Sequence, residues 1–258
     1  MSNRSLPDRA VTPEWMSTAL RIARMDKPWI EARRLLEIAL RDEVESETGR
    51  SKTATLLAHC WLRPSKGAEP LVDWATEHAD GDVRVWQLGV LIANYSFFGE
   101  LCGEIGRRIG LSHEIDTSQL RTAMKGKWGD RNAVDVATQS SIRTLRSFGV
   151  IHGEEGDSAS KPGDQIRVEP AVFPWLVHAL LVGRNAMEVD LREALTAPEL
   201  FMFDLPTGVG NGYPHLEHFT EGSGRVVVGI VKQRALPQTP TKQLALDVDN
   251  SKQLDLDC

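Results

Sequence analysis

Cysteine is scarce in this sequence, and its three copies lie far apart. Cys60, Cys102 and Cys258 form no CxxC pair in a chain of 258 residues. Disulfide frameworks and thiolate zinc sites both require cysteines in closely spaced groups. The sequence therefore argues against both, and we expect Cys60 and Cys102 to be reduced core residues.

Long apolar runs are also missing. No stretch of about eighteen consecutive apolar residues occurs, which is the length a membrane-spanning helix needs. The opening residues, MSNRSLPDRA, contain no apolar segment of the kind found in secretory signals. We therefore expect a cytoplasmic protein without a membrane partner.

Sequence motifs of catalysis and cofactor binding are absent. No serine or cysteine lies in a nucleophile motif such as GxSxG, and the loop PTGVGNGYP lacks the GxxxxGK[ST] or GxGxxG order of a phosphate-binding loop. The segment PHLEHF places His215 and His218 around Glu217, but it lacks the HExxH spacing and a third ligand. The sequence predicts no enzyme, no cofactor and no metal site.

Negative charge predominates overall, with one local exception. The net charge is −6, so the whole surface is not expected to attract nucleic acid. Residues 107–146, which we call the basic island, reverse this balance. Its basic residues are Arg107, Arg108, Arg121, Lys125, Lys127, Arg131, Arg143 and Arg146. Its acidic residues are Glu114, Asp116, Asp130 and Asp135.

Residues 1–80 are predicted to form a helical bundle. Apolar residues recur at helical spacing in several segments of this part. Each segment begins at a capping residue or proline, and all but the first end at a glycine or proline that breaks the helix. The predicted helices run from Pro13, capped by Thr12, to about Met25, from Asp26 and Pro28 to Gly49, from Ser51 to Pro64, and across EPLVDWATEHADG.

Residues 82–170 have the element order of a winged helix-turn-helix. We predict helices over VRVWQLGVLIANY, over FFGELCGEIGRRIG with an end at Gly110, over DTSQLRTAMKGKWG with Asp116 as cap, and from Arg131 to about Ser147 with Asp130 as cap. Two short β-prone pieces follow, VIHG and QIRVEP, joined by the polar loop EEGDSASKPGD. The two strands are predicted to form a small β-wing.

The remaining residues are predicted to form a C-terminal α/β extension, 171–234, and a flexible tail, 235–258. FPWLVHALLVG and VDLREALTAPELF favour helices, and GRVVVGIVK favours a strand that pairs near ELFMFDL. The tail is polar, acidic and free of aromatic residues. Its alternating leucines, in KQLALDVD and KQLDLDC, also suit a segment that adds to a partner's sheet edge. The predicted fold class is mainly α.

The helix that begins near Arg131 has two contrasting sides. At about 100° per residue, one side carries Val134, Ala137, Ser141, Leu145 and Phe148, and the other carries Asn132, Asp135, Gln139, Arg143 and Arg146. Asn and Gln can pair with adenine and Arg with guanine, while basic residues on the preceding helix can hold phosphates. The predicted DNA-binding residues are Arg121, Lys125, Lys127, Arg131, Asn132, Gln139, Arg143 and Arg146.

Two features favour a protein partner instead of DNA. Asp135 lies within the polar stripe, where its carboxylate would repel phosphate, although it could accept a hydrogen bond from cytosine. The predicted wing is acidic: Glu154, Glu155, Asp157 and Asp164 stand against Lys161 and Arg167. A protein-interaction adaptor that docks its partners through the winged helix and the tail is therefore the alternative.

The order of motifs from Val83 to Phe203 resembles winged-helix accessory proteins of bacterial phage-defence loci of the BREX type. The resemblance lies in an aromatic-led helix (NYSFFGELCGEIGRRIGL), a GDR turn, a helix that ends in RSFGVI, a wing, and a Trp-containing apolar helix (FPWLVHALL). It implies a non-enzymatic subunit that binds double-stranded DNA or assembles with other protein subunits of a defence complex. An ordinary transcriptional regulator is the nearest variant.

Overall fold

A computed structural model of the chain describes residues 6–112, 114–153, 159–208, 210, 212–222 and 224–231. The described part is mainly helical with small sheets, which confirms the predicted fold class at this level. The predicted tail, 235–258, and the loop residues 154–158 lie outside the described residues. The division into domains stays a prediction.

The described part of the chain begins with six helices, and short strands and further helices follow. The helices are α1 (Pro13–Ala23), α2 (Trp29–Ala39), α3 (Glu47–Trp61), α4 (Glu69–His78), α5 (Arg84–Asn94), α6 (Ser96–Ser112), α7 (Thr117–Trp128), α8 (Asn132–Ser147), α9 (Phe173–Arg184) and α10 (Leu191–Leu195), with a 3-10 helix at Pro198–Leu200. The strands are β1 (Ile115–Asp116), β2 (Ile151–His152), β3 (Ala159–Pro162), β4 (Ile166–Arg167), β5 (Glu188–Asp190), β6 (Phe203–Asp204), β7 (Leu216–Glu221) and β8 (Arg225–Ile230).

The start of α1 follows its sequence signals. The Thr12 hydroxyl accepts a hydrogen bond from the Trp15 amide at 3.3 Å, and proline occupies the first helical position. The prediction of one helix from Asp26 to Gly49 is wrong. The chain leaves α2 after Ala39 and enters α3 at Glu47.

The start of α3 lies earlier than predicted because Ser46, and not Ser51, caps this helix. The Ser46 hydroxyl accepts the Gly49 amide at 3.1 Å. Gly49 therefore lies in the first turn of α3, where it does not end a helix.

The core is built around α5, α6 and α9. α9 carries an almost unbroken apolar sequence, and Phe173, Trp175 and Leu176 on it are fully buried. The Trp175 ring lies 4.6 Å from the Trp86 ring of α5, measured between centroids.

The predicted end of α6 at Gly110 is wrong, since the helix continues to Ser112. One glycine costs a helix only about 1 kcal/mol, which packing of the earlier turns outweighs.

The elements after α6 pair differently from the predicted wing. β1, β2 and β3 form an antiparallel sheet in the order β1-β3-β2, with His152 opposite Lys161. The strand that pairs with Ile151–His152 is therefore Ala159–Pro162, and the prediction that QIRVEP pairs there is wrong. That segment forms β4, which pairs in parallel with β6.

A close backbone approach explains why β3 lies where it does. The Gly163 amide donates to the Val150 carbonyl at 2.9 Å, and a Cβ atom on Gly163 would lie 2.1 Å from the Gly149 carbonyl oxygen. Only glycine permits that approach. The polar sequence ASKP carries no β-branched residue that would reveal this strand.

The C-terminal sheet has the order β5-β8-β7. The predicted pairing of β8 near ELFMFDL is wrong, because β8 pairs antiparallel with β7 and β5. Within ELFMFDL, Phe203 and Asp204 are already paired to β4. The backbone hydrogen bonds of that segment are therefore used elsewhere.

Candidate nucleic-acid interface

The turn between α7 and α8 sets the direction of both helices. Asp116 caps α7 as predicted: its Oδ1 accepts the amides of Ser118 at 2.8 Å and Gln119 at 3.1 Å. α7 ends at Trp128, and the C-cap residue Gly129 has a φ of +89°, a conformation that favours glycine. The cap of α8 is Arg131, one residue later than the predicted Asp130.

The apolar side of α8 is confirmed. All five residues predicted for the buried stripe are buried in the structure. They are Val134, Ala137, Ser141, Leu145 and Phe148. α8 is therefore fixed on one side by the core, and its solvent side is held in a defined orientation.

The N-terminal segment crosses the last turns of α8. The Val11 amide donates to the Thr144 hydroxyl at 3.0 Å, and the Ser147 hydroxyl donates to the Val11 carbonyl at 2.9 Å. These contacts lie on the flank of α8 that includes buried Thr144. Arg143 remains exposed.

Four of the exposed side chains of α8 follow one another along its solvent side. Asn132, Val136, Gln139 and Arg143 follow one another at spacings of four, three and four residues, which places them on one helix face. We call these four residues the α8 face. Val136, 37% exposed, is absent from the sequence prediction. The four-residue spacing between Asn132 and Val136 already places Val136 on the same helix face in the sequence. Its methyl groups suit contact with the methyl group of thymine.

Arg146 has a different surrounding from the one predicted. Its Nη2 donates to the Ser160 hydroxyl of β3 at 2.9 Å. Its Nε is buried and has no hydrogen-bond partner within the described part of the chain. Arg146 therefore ties α8 to the β1-β3-β2 sheet and lies beside the α8 face, not within it.

Two predicted phosphate-binding residues of α7 are paired with carboxylates. The Lys125 Nζ lies 2.9 Å from the Asp135 Oδ2 and 2.9 Å from the Asp130 Oδ1. The Arg121 Nε lies 3.6 Å from the Asp135 Oδ1. Hydrogen bonds to Asp135 and Asp130 raise the pKa of Lys125. Asp135, half-buried, therefore bridges the two helices at the border of the α8 face.

The third predicted phosphate-binding residue of α7, Lys127, is paired with Glu104 of α6. The Lys127 Nζ lies 3.4 Å from the Glu104 Oε2, which Arg107 also contacts at 2.7 Å, while Arg108 hydrogen-bonds the other oxygen. Burial alone would raise the pKa of Glu104, but the two arginine hydrogen bonds outweigh it and lower the pKa to about 2. Arg131 is exposed, and its Nη2 donates to the Trp128 carbonyl at 3.1 Å.

A second cluster of titratable groups lies between α4, α9 and the start of β7. The His178 Nδ1 is 2.6 Å from the Tyr213 hydroxyl, and His215 packs edge-on against Trp74. His218 is exposed on β7. Within the described residues, no group of three or more His, Cys, Asp or Glu side chains is arranged to hold a metal ion. The cluster joins the C-terminal sheet to the helices.

This cluster predicts a loss of stability in mild acid. Burial, followed by the charge of His215, lowers the pKa of His178 from 6.5 to about 4. At a pH between 4 and 6.5, His178 is protonated in the unfolded chain but stays neutral in the folded protein. The stabilisation from neutral His178 is therefore fully present above pH 6.5 and is lost as the pH falls through 4. We expect a loss of about 2 kcal/mol between pH 7.5 and pH 5.

The measurement is urea unfolding at the two pH values, with His178→Asn as the matched control. Asparagine keeps a polar atom near Tyr213 but does not titrate. The wild-type free energy of unfolding should fall by about 2 kcal/mol more than that of the variant. Equal losses in the two proteins would contradict the assignment.

Comparison with protein-family models, curated proteins and solved structures found no match to this chain. None of the helices in the described ranges is long and apolar enough to span a membrane.

Proposed function

We propose that residues 82–170 form a winged helix-turn-helix and bind double-stranded DNA through the α8 face. The element order α6, β1, α7, α8, β2, β3 and the strand order β1-β3-β2 support the proposal, because a helix-turn-helix followed by a two-stranded wing has this arrangement. In such motifs the second helix of the turn enters the major groove. That helix is α8 here.

The observation that carries the proposal is the composition of the α8 face. Its exposed side chains are an asparagine, a valine, a glutamine and an arginine, each suited to a base edge in the major groove. The opposite side of α8 is buried against the core. A rigidly held helix with such a face can present several base contacts at once.

We further propose that the protein is a non-enzymatic subunit of a bacterial phage-defence system. The motif order from Val83 to Phe203 supports this role. A subunit of such a system would bind other protein subunits as well as DNA. The adaptor is the second candidate, and one observation favours it. The α7 cations Arg121, Lys125 and Lys127 are all paired with carboxylates, which weakens their attraction for phosphate.

Duplex binding at two salt concentrations tests the proposal. Fluorescence anisotropy with a labelled duplex selected from a random pool should show binding at 50 mM salt that weakens as salt rises. Three phosphate contacts would reduce the affinity about 40-fold between 50 and 200 mM salt, because each contact releases counterions. No selectable duplex, or an affinity independent of salt, would count against DNA binding.

The adaptor makes the opposite prediction in the same experiment. If the protein is an adaptor, duplex binding should be weak at both salt concentrations, and a partner protein should co-purify with it after nuclease treatment. A partner that is lost only when DNA is digested would instead favour DNA as the shared ligand.

A further inference from the structure

We infer that Asp135 occupies, in the free protein, the position that a DNA phosphate takes on Arg121 and Lys125. This inference rests on the proposed function and concerns the regulation of the same site. It makes Asp135 an internal competitor for Arg121 and Lys125, and Asp135 gives up these two cations when a duplex binds.

The position of Asp135 is the first support. Its carboxylate lies between α7 and α8, 2.9 Å from the Lys125 Nζ and 3.6 Å from the Arg121 Nε. In sequence it directly precedes Val136 of the α8 face and follows Asn132 by three residues. A duplex that contacts the α8 face would therefore bring its phosphates next to this ion pair.

The geometry of the pair is the second support. The Arg121 Nε and the Asp135 Oδ1 are both buried, and neither has a hydrogen-bond partner among the described residues. Unmade hydrogen bonds on buried polar atoms cost free energy. The Arg121 side chain is nevertheless 43% exposed and that of Lys125 31% exposed. Arg121 can therefore exchange an imperfect internal partner for an external one, and Lys125, whose contacts to Asp135 and Asp130 are both 2.9 Å long, is exposed enough to reach the same phosphate.

The local charge is the third support. Asp130 and Asp135 balance Arg121 and Lys125, so this junction presents little net charge in the free protein. Phosphate contacts carry no sequence information, whereas base contacts do. An internal carboxylate that competes for phosphate-binding cations therefore weakens sequence-independent binding and leaves discrimination to the α8 face.

The test compares two variants that each remove one negative charge from the basic island. Asp135→Asn keeps the shape of the side chain and removes its negative charge from Arg121 and Lys125, while Lys125 keeps its ion pair with Asp130. Glu114→Gln is the matched control, because Glu114 is exposed and, in the part of the chain that the structure describes, forms no ion pair with Arg121 or Lys125. The probe is a labelled duplex of unrelated sequence, measured by anisotropy at 50 and 200 mM salt.

We expect Asp135→Asn to bind the unrelated duplex about tenfold more tightly than wild type, and Glu114→Gln less than about twofold more tightly. The gain from Asp135→Asn should vanish in a protein that also carries Arg121→Ala and Lys125→Ala. Equal gains for the two charge variants, or a gain that persists without the two cations, would overturn the inference.

A second measurement does not depend on Asp135→Asn. In otherwise wild-type protein, Arg121→Ala with Lys125→Ala should flatten the salt dependence by up to about 1.8 in the log–log slope, for two phosphate contacts. An unchanged slope would mean that Asp135 never releases the cations, and would overturn the inference while DNA binding itself stands. Absence of duplex binding by wild type and Asp135→Asn alike would overturn the proposed function, and the inference with it.

Discussion

Replacing Asn132, Gln139 and Arg143 together with alanine is expected to weaken binding to a selected duplex at least about 100-fold. Each good contact between a side chain and a base is worth about 1–3 kcal/mol, and each 1.4 kcal/mol is a factor of ten in affinity. All three side chains are exposed, and alanine favours helix, so α8 should remain folded. Anisotropy titration of wild type and the triple variant measures the loss.

The specificity of this effect requires a control with a similar loss of exposed polar groups. Arg34 on α2 and Arg192 on α10 are exposed and lie outside the basic island. Their replacement by alanine should leave the affinity within about twofold, since neither lies in the proposed interface. The same affinity for wild type and the triple variant would rule out the α8 face as the reader. Thermal melting of each variant checks the fold.

Replacing Trp175 with alanine is expected to cost about 3–5 kcal/mol of unfolding free energy. The side chain is fully buried, its ring packs against that of Trp86, and its Nε1 donates to the Leu71 carbonyl at 2.9 Å. Alanine would leave a cavity and an unpaired carbonyl. A domain is typically stable by only about 5–15 kcal/mol, so the loss is a large fraction of the total. Urea denaturation measures it.

Two further variants separate the causes of this loss. Trp175→Phe keeps most of the ring and removes the hydrogen bond to Leu71, so we expect a smaller loss, about 1–3 kcal/mol. Trp29→Phe is the control, because Trp29 is only half-buried at the surface of α2, where Arg63 lies over its ring. If Trp175→Ala loses no more unfolding free energy than Trp29→Phe, the placement of α9 in the core is contradicted.

Local signals explain what could be predicted correctly. Thr12 and Asp116 cap α1 and α7 because a capping side chain needs only the amides two or three residues ahead. The buried stripe of α8 follows from helical spacing alone, as does the burial of α9 from its apolar composition. The start of α3 was placed at Ser51 instead of Ser46 because both serines are possible caps within one short stretch of sequence.

The amino-acid sequence by itself therefore determined the mainly helical fold class, the caps of α1 and α7 and the buried side of α8. Only the tertiary structure decided which strand completes the β1-β3-β2 sheet, where Arg146 donates its hydrogen bond, and that Asp135 holds Arg121 and Lys125. These features join residues that are distant in sequence or lie on different elements. No local spacing encodes them, because they depend on how closely the backbones approach once the core has packed.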